Sequence, residues 1–194
     1  MAHVEATVDQ RELVERARRG DHDAFAGLID PALARLDAAA RLILRDPELA
    51  RDAVQEALIR AWRDLPGLRD PDRFEAWLHR LTVNACLDLV RRRRRRPIEV
   101  EITPLDSPAA ADISGALADR ELVDGALQRL DPGHRAVVAM HYLLGMPLPD
   151  VAASLGIPIG TAKSRLHYAL AAMRRSTAAE PEPTPASVQG GQVA

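Results

Sequence analysis

The chain predicts an all-α fold of two small helical domains joined by an acidic, flexible linker, the second carrying a helix-turn-helix. Three observations predict it. Of 194 residues, 47% are hydrophobic but only 3% aromatic, so the core is mostly Ala, Leu and Val, a composition that favours helix over strand. Apolar residues recur at i, i+3, i+4 and i+7 from Glu12 onward, the spacing of one helix face. That period lapses over 97–115, which holds three prolines, four acids and no base, as a linker does.

The elements follow in order. Leu13 and Ala17, then Ala24, Phe25, Leu28 and Ile29, form apolar stripes separated by Gly20-Asp21, where Asp21 can cap the second helix. Pro31 marks a place where that helix can bend or restart. Leu36, Ala39, Ala40, Ile43 and Leu44 carry the pattern to Asp46-Pro47, a stop-start signal opening a helix from Glu48 to Asp64. Pro66-Gly67 and Asp70-Pro71 bracket a loop of about ten residues. Phe74, Trp77, Leu78, Leu81, Ala85 and Leu89 then lie on one helix that ends in Arg91 to Arg96, with Pro97 as terminator.

A second unit begins near Ala116. Leu117, Leu122, Leu127 and Leu130 mark its first helix, closed by Asp131-Pro132-Gly133; Val137, Val138, Met140, Tyr142, Leu143 and Leu144 mark the next, ending at Gly145. Val151, Ala152 and Leu155 then run to Gly156, which can take the left-handed backbone that stops a helix. The chain restarts at Pro158, and Thr161 can offer its hydroxyl to the new helix's free N–H groups. Lys163, Ser164, Arg165 and His167 present donors there, while Ala162, Leu166, Ala169 and Leu170 recur at inward spacing. A short helix, a Gly turn and a polar-fronted helix suit the major groove. The expected division is therefore 11–96, a linker at 97–115, 116–176, and a disordered tail over 177–194.

Charge is segregated rather than large. The formal net is −2, yet Arg11 to Arg96 holds 19 bases against 15 acids, and Gly156 to Arg175 holds Lys163, Arg165, Arg174 and Arg175 with no acid. Such segments are expected to meet different partners. Cys86 is the single cysteine, which excludes intramolecular disulfides and Cys-based zinc sites. The first ten residues lack the n-region and apolar core of a signal peptide, and no apolar run nears the roughly 20 residues of a membrane span. The expectation is a cytoplasmic protein without membrane insertion. No Gly-rich phosphate loop, HExxH or Gly-x-Ser-x-Gly is present, and the histidines are scattered. We therefore expect no enzyme activity, cofactor or metal.

Three surfaces stand out. Asp52, Gln55, Glu56 and Ile59 share a helix face that could dock a basic protein partner or simply be solvated. Arg73, Arg80, Asn84, Asp88 and Arg91 lie opposite the buried stripe of their helix. Asn can pair with adenine and Arg with guanine or phosphate, although mixed polar decoration of a structural helix fits equally well. The Arg91 to Arg96 run, Arg92 included, fits phosphate neutralisation or a cation-rich helix terminus.

Taken in order, several motifs resemble the extracytoplasmic-function (ECF) group of sigma-70 RNA polymerase sigma factors. They are Gly20-Asp21-His22-Asp23-Ala24-Phe25; Ala50-Arg51-Asp52-Ala53-Val54-Gln55-Glu56 with Trp62; Phe74-Glu75-Ala76-Trp77-Leu78 through Asn84 and Asp88 to the Arg run; and Gly160-Thr161-Ala162-Lys163-Ser164-Arg165-Leu166. The resemblance implies sigma region 2 over 11–96 and region 4 over 116–176. It implies that Asp52, Gln55, Glu56 and Ile59 dock on core RNA polymerase. Arg73, Arg80, Asn84, Asp88, Arg91 and Arg92 would melt and read the −10 element. Thr161, Lys163, Ser164, Arg165 and His167 would read the −35 element. Promoter DNA and an anti-sigma factor are the further partners implied. Two positions depart from the family pattern: Tyr168 stands where Arg is frequent, and Pro149 precedes Asp150. The rival reading is a stand-alone helix-turn-helix regulator of duplex operators.

Overall fold

The computed structural model describes residues 2–95 and 130–177 together with 125, 127 and 128. The expected linker at 97–115, the start of the second unit near Ala116 and the tail from 178 lie outside the described residues. Among the described residues the regular structure is entirely helical. The elements are α1 (Ala2–Arg18), α2 (His22–Leu44), α3 (Pro47–Asp64), tight turns at Leu65–Gly67 and Pro71–Arg73, and α4 (Phe74–Arg95). In the second unit follow α5 (Pro132–Val138) with a wider turn at Ala139–Leu143, α6 (Leu148–Leu155) and α7 (Ile159–Thr177).

Aspartates open three of these helices. Asp21 accepts the Ala24 N–H at 3.0 Å, Asp46 accepts those of Glu48 and Leu49, both at 3.0 Å, and Asp131 accepts that of Gly133 at 2.7 Å. Each satisfies N–H groups that have no partner within the helix. At two of them a proline fills the first turn (Pro47, Pro132), where its missing N–H costs nothing. Pro31 does not break α2, which runs unbroken from His22 to Leu44. Both Pro31 and Gly27, four residues before it, are exposed, so the missing hydrogen bond lies on the outer side of the helix.

Six alanines (39, 40, 50, 53, 57, 61) are fully buried where α2, α3 and α4 pack, and their small side chains let the backbones approach closely. Leu36, Ile43, Leu65, Leu78 and Val83 are the large side chains fully buried among them, each contributing ~1.5–3 kcal/mol. This core does not stop at the first unit. Ala136, Val137, Ala139, Met140, Leu144, Met146 and Val151 belong to the same buried cluster. Leu127, Leu130, Val138 and Ala169 form a smaller cluster behind them. The two helical units are thus packed on one another.

Candidate polymerase-docking and promoter-reading surfaces

On α3, burying Ala53, Ala57 and Ala61 turns Asp52, Gln55, Glu56 and Ile59 outward, and all four are exposed. Ile59 is 55% exposed, unusual for a large aliphatic side chain. It edges an open trough of about 920 Å³ between α2 and α3, lined by Phe25, Leu33, Leu58 and Trp62 with Gln55 at the rim. The Trp62 ring forms one wall, held by His22 stacked at 4.4 Å and by the edge of Phe25 at 5.1 Å. The surface combines an apolar slot with acids beside it.

Glu56 is also engaged sideways. It accepts from Arg60 at 2.8 Å, and Arg60 reaches Asp88 on α4 at 3.2 Å. The Glu56 hydrogen bond, aided by Asp88 against burial, holds the Arg60 proton more tightly than usual. Asp88 in turn pairs with Arg91 at 3.1 Å. Its carboxylate therefore organises cations. The spacing of residues on α4 gave no sign of this, because both partners of the link to α3 lie 28 residues apart.

The rest of the predicted α4 face is more open. Arg73 is 79% exposed with a loose 3.7 Å pair to Asp70, Arg80, Arg91 and Arg92 are exposed, and Asn84 is half-buried. Behind them Leu78, Thr82, Val83, Ala85 and Cys86 are buried, so α4 presents one coherent polar face. The loop before α4 is held by α1, an anchor sequence reading missed: Arg11 pairs with Asp72 at 2.5 Å, and Gln10 donates to the Pro71 carbonyl at 3.2 Å. Asp70 accepts the Asp72 N–H at 3.1 Å, fixing the turn.

In the second unit α6 ends at Gly156 with φ +63, as expected of a left-handed stop. Helix α7 begins at Ile159, earlier than Thr161, so Thr161 sits in the first turn and does not cap it. The Thr161 carbonyl accepts from the Ser164 hydroxyl at 3.0 Å. Lys163, Ser164 and His167 are exposed, Thr161 and Arg165 half-buried, while Ala162 and Ala169 are fully buried. Arg165 leans back on α5: its Nη1 lies 3.2 Å from where a Cβ on Gly133 would stand. Tyr168, 53% exposed, packs its ring against His134 at 5.0 Å. The His134 ring meets Asp131; although burial pushes the Asp131 carboxyl up, His134 and the α5 N–H groups hold it below its usual range. Helix α5 thus positions two residues of α7.

The geometry is that of a helical protein with an apolar trough between α2 and α3, a cationic face on α4 and an exposed polar face at the start of α7. The family model described as "Sigma-70 region 2" matches residues 28–96, and that described as "Sigma-70, region 4" matches 120–173. The ECF RNA polymerase sigma factor SigM of Mycobacterium tuberculosis is 36% identical over 165 residues, covering 84% of this chain and 82% of that protein. SigL of the same species is 38% identical over 132 residues, covering 66% and 75%. The structure of CnrH in complex with the cytosolic domain of CnrY aligns with TM-score 0.65 and 29% identity, covering 89% of this chain and 99% of that one. The chain belongs to the sigma-70 family of RNA polymerase sigma factors, in its ECF group. Its function is to direct transcription initiation.

Proposed function

We propose that residues 11–96 act as region 2 and 116–176 as region 4, with the work divided among three surfaces. The α3 face of Asp52, Gln55, Glu56 and Ile59 docks core RNA polymerase. Arg73, Arg80, Asn84, Arg91 and Arg92 of the loop and α4 melt and read the −10 element, with Asp88 setting the position of Arg60 and Arg91. Thr161, Lys163, Ser164, Arg165 and His167 of α7 read the −35 element in the major groove. The chain carries no chemistry of its own, works in the cytoplasm, and is restrained by an anti-sigma factor. CnrH, its structural neighbour, was solved with a protein partner bound.

The observation that carries this reading is the apolar trough opening beside the exposed Ile59. A stand-alone duplex-binding regulator has no use for such a slot on α2 and α3, outside its helix-turn-helix. Run-off transcription with purified core polymerase tests the reading. Adding the chain should produce promoter-specific transcripts from genomic templates. A chain that shifts duplex DNA alone but adds no specific initiation would defeat it.

A further inference from the structure

The turn at Pro71–Arg73 leads into α4, yet the core holds it only from its two ends. Leu68 and Phe74 are buried, while Arg69, Asp70, Asp72 and Arg73 between them are exposed and Pro71 is half-buried. Polar contacts therefore place these residues. Two of the contacts are internal: Asp70 Oδ1 accepts the Asp72 N–H at 3.1 Å, and the Asp70 carbonyl accepts the Arg73 N–H at 3.1 Å. They set the shape of the turn but not where it sits.

Its seat comes from α1, 61 residues earlier. Arg11 Nη2 and Nε donate to the two oxygens of the Asp72 carboxylate at 2.5 and 3.3 Å, and Gln10 Nε2 donates to the Pro71 carbonyl at 3.2 Å. A two-pronged guanidinium–carboxylate pair fixes angle as well as distance, and the Gln10 bond adds a third point of attachment. Arg73 has only a loose 3.7 Å pair, to Asp70 of the same turn, so its guanidinium goes where the turn goes. Helix α4 is held differently. Phe74 and Leu78 are buried, and Glu75 pairs with Arg35 of α2 at 2.6 Å. Loss of the α1 contacts would thus free the turn and leave Arg80 and Asn84 in place.

We propose that Arg11 and Gln10 are positioning residues for promoter reading: through Asp72 and Pro71 they seat the turn that carries Arg73, and so set the base preference at the −10 position that Arg73 reads. The proposal rests on the assignment of Arg73 and Asn84 to the −10 element. An exposed ion pair adds little to the stability of a whole domain. Its effect here falls on the turn, which has no buried side chain of its own, and not on the fold.

The test uses the full chain assembled with core polymerase on a promoter pool randomised over the −10 element, with run-off transcripts sequenced. Arg73→Ala and Asn84→Ala first mark the positions that the turn and α4 read. Arg11→Ala should then lower discrimination about two- to fivefold, the span of an exposed ion pair, at the Arg73 position and not at the Asn84 position. Arg11→Lys keeps the charge but not the fork and should lose part of that discrimination. Arg11→Asp combined with Asp72→Arg reverses the pair and should discriminate better than either substitution alone. Core-polymerase affinity and melting temperature should match those of the unsubstituted chain. An Arg11→Ala preference identical to the unsubstituted one overturns the proposal, as does a loss spread equally over both positions or a reversed pair that recovers nothing. If Arg73→Ala itself changes no position, its −10 assignment falls and the proposal with it; if Arg73→Ala acts and Arg11→Ala does not, only the role of α1 falls. Should Arg11→Ala fail to fold by circular dichroism, Gln10→Ala and the reversed pair decide.

Discussion

His79 sits on the inner side of α4 with 3% of its side chain exposed and neither ring nitrogen hydrogen-bonded. Burial pushes its pKa below the ordinary 6.5; Glu75, 3.9 Å away on its own helix, opposes this, and Arg35 on α2 reinforces it. The folded value therefore lies below the unfolded one. Neutral His79 suits the fold fully above the unfolded pKa, and stability is lost as pH falls through about 6.5 toward the folded value. Urea midpoints at about pH 7.5 and 5.5 should differ more for the unsubstituted chain than for His79→Met; equal differences would exclude His79 as the cause. A second residue-scale expectation concerns Gly133. A Cβ there would stand 3.2 Å from Arg165 Nη1 and 3.0 Å from Asp131 Oδ1, so Gly133→Ala must push Arg165 away. The expected outcome is a changed base preference at one −35 position in a selected DNA pool, with thermal stability nearly unchanged. An identical preference would show that Arg165 does not read bases from this seat.

At the scale of the element, α3 gives the sharpest case because one of its faces is buried and the other exposed. Asp52 and Gln55 are exposed, so Asp52→Arg with Gln55→Ala should change stability by no more than ~0.5 kcal/mol, while core-polymerase affinity falls by roughly tenfold or more. Unchanged affinity would remove the docking assignment. The start of the same helix yields a stability prediction. Asp46 accepts two backbone N–H groups and also meets Arg93 at 3.5 Å, so Asp46→Ala should cost ~1 kcal/mol, read as a shift in urea midpoint at constant slope. These elements were legible in the sequence because their causes are local: an Asp before a proline, an Ala stripe at helical spacing, a Gly after the last apolar residue. Pro31 misled because sequence shows that it lacks an N–H but not that Gly27 faces water. Thr161 misled because Pro158 and Ile159 already provide a helix start. That Asp88 also pairs with Arg60 was hidden because Arg60 belongs to another helix. The anchoring of the loop by Gln10 and Arg11 was hidden for the same reason: its partners are 61 residues away.

In the whole molecule the two helical units pack on one another, and periodicity could not foresee this. An apolar stripe shows which face of a helix is buried, not whether its own unit or the other one buries it. Val137 and Met140 read as the core of the second unit, yet they pack with Leu36 and Ile43 of the first. Arg135 is buried, and burial weakens its hold on the proton, with Arg45 adding to this and Asp131 opposing it. A shared core has a thermodynamic signature. If the units hold together as described, heating should unfold the full chain in a single calorimetric transition, because neither half can lose its packing without exposing the other. Arg135→Met would leave the carbonyls of Ile43 and Leu130 without their donor, at ~1–3 kcal/mol for each one that water cannot reach. The loss falls on both units at once. The substituted chain should therefore melt in two steps, the second unit first, since it keeps the smaller cluster of Leu127, Leu130, Val138 and Ala169. Two resolved transitions in the unsubstituted chain would mean that the units fold independently and that Arg135 does not couple them.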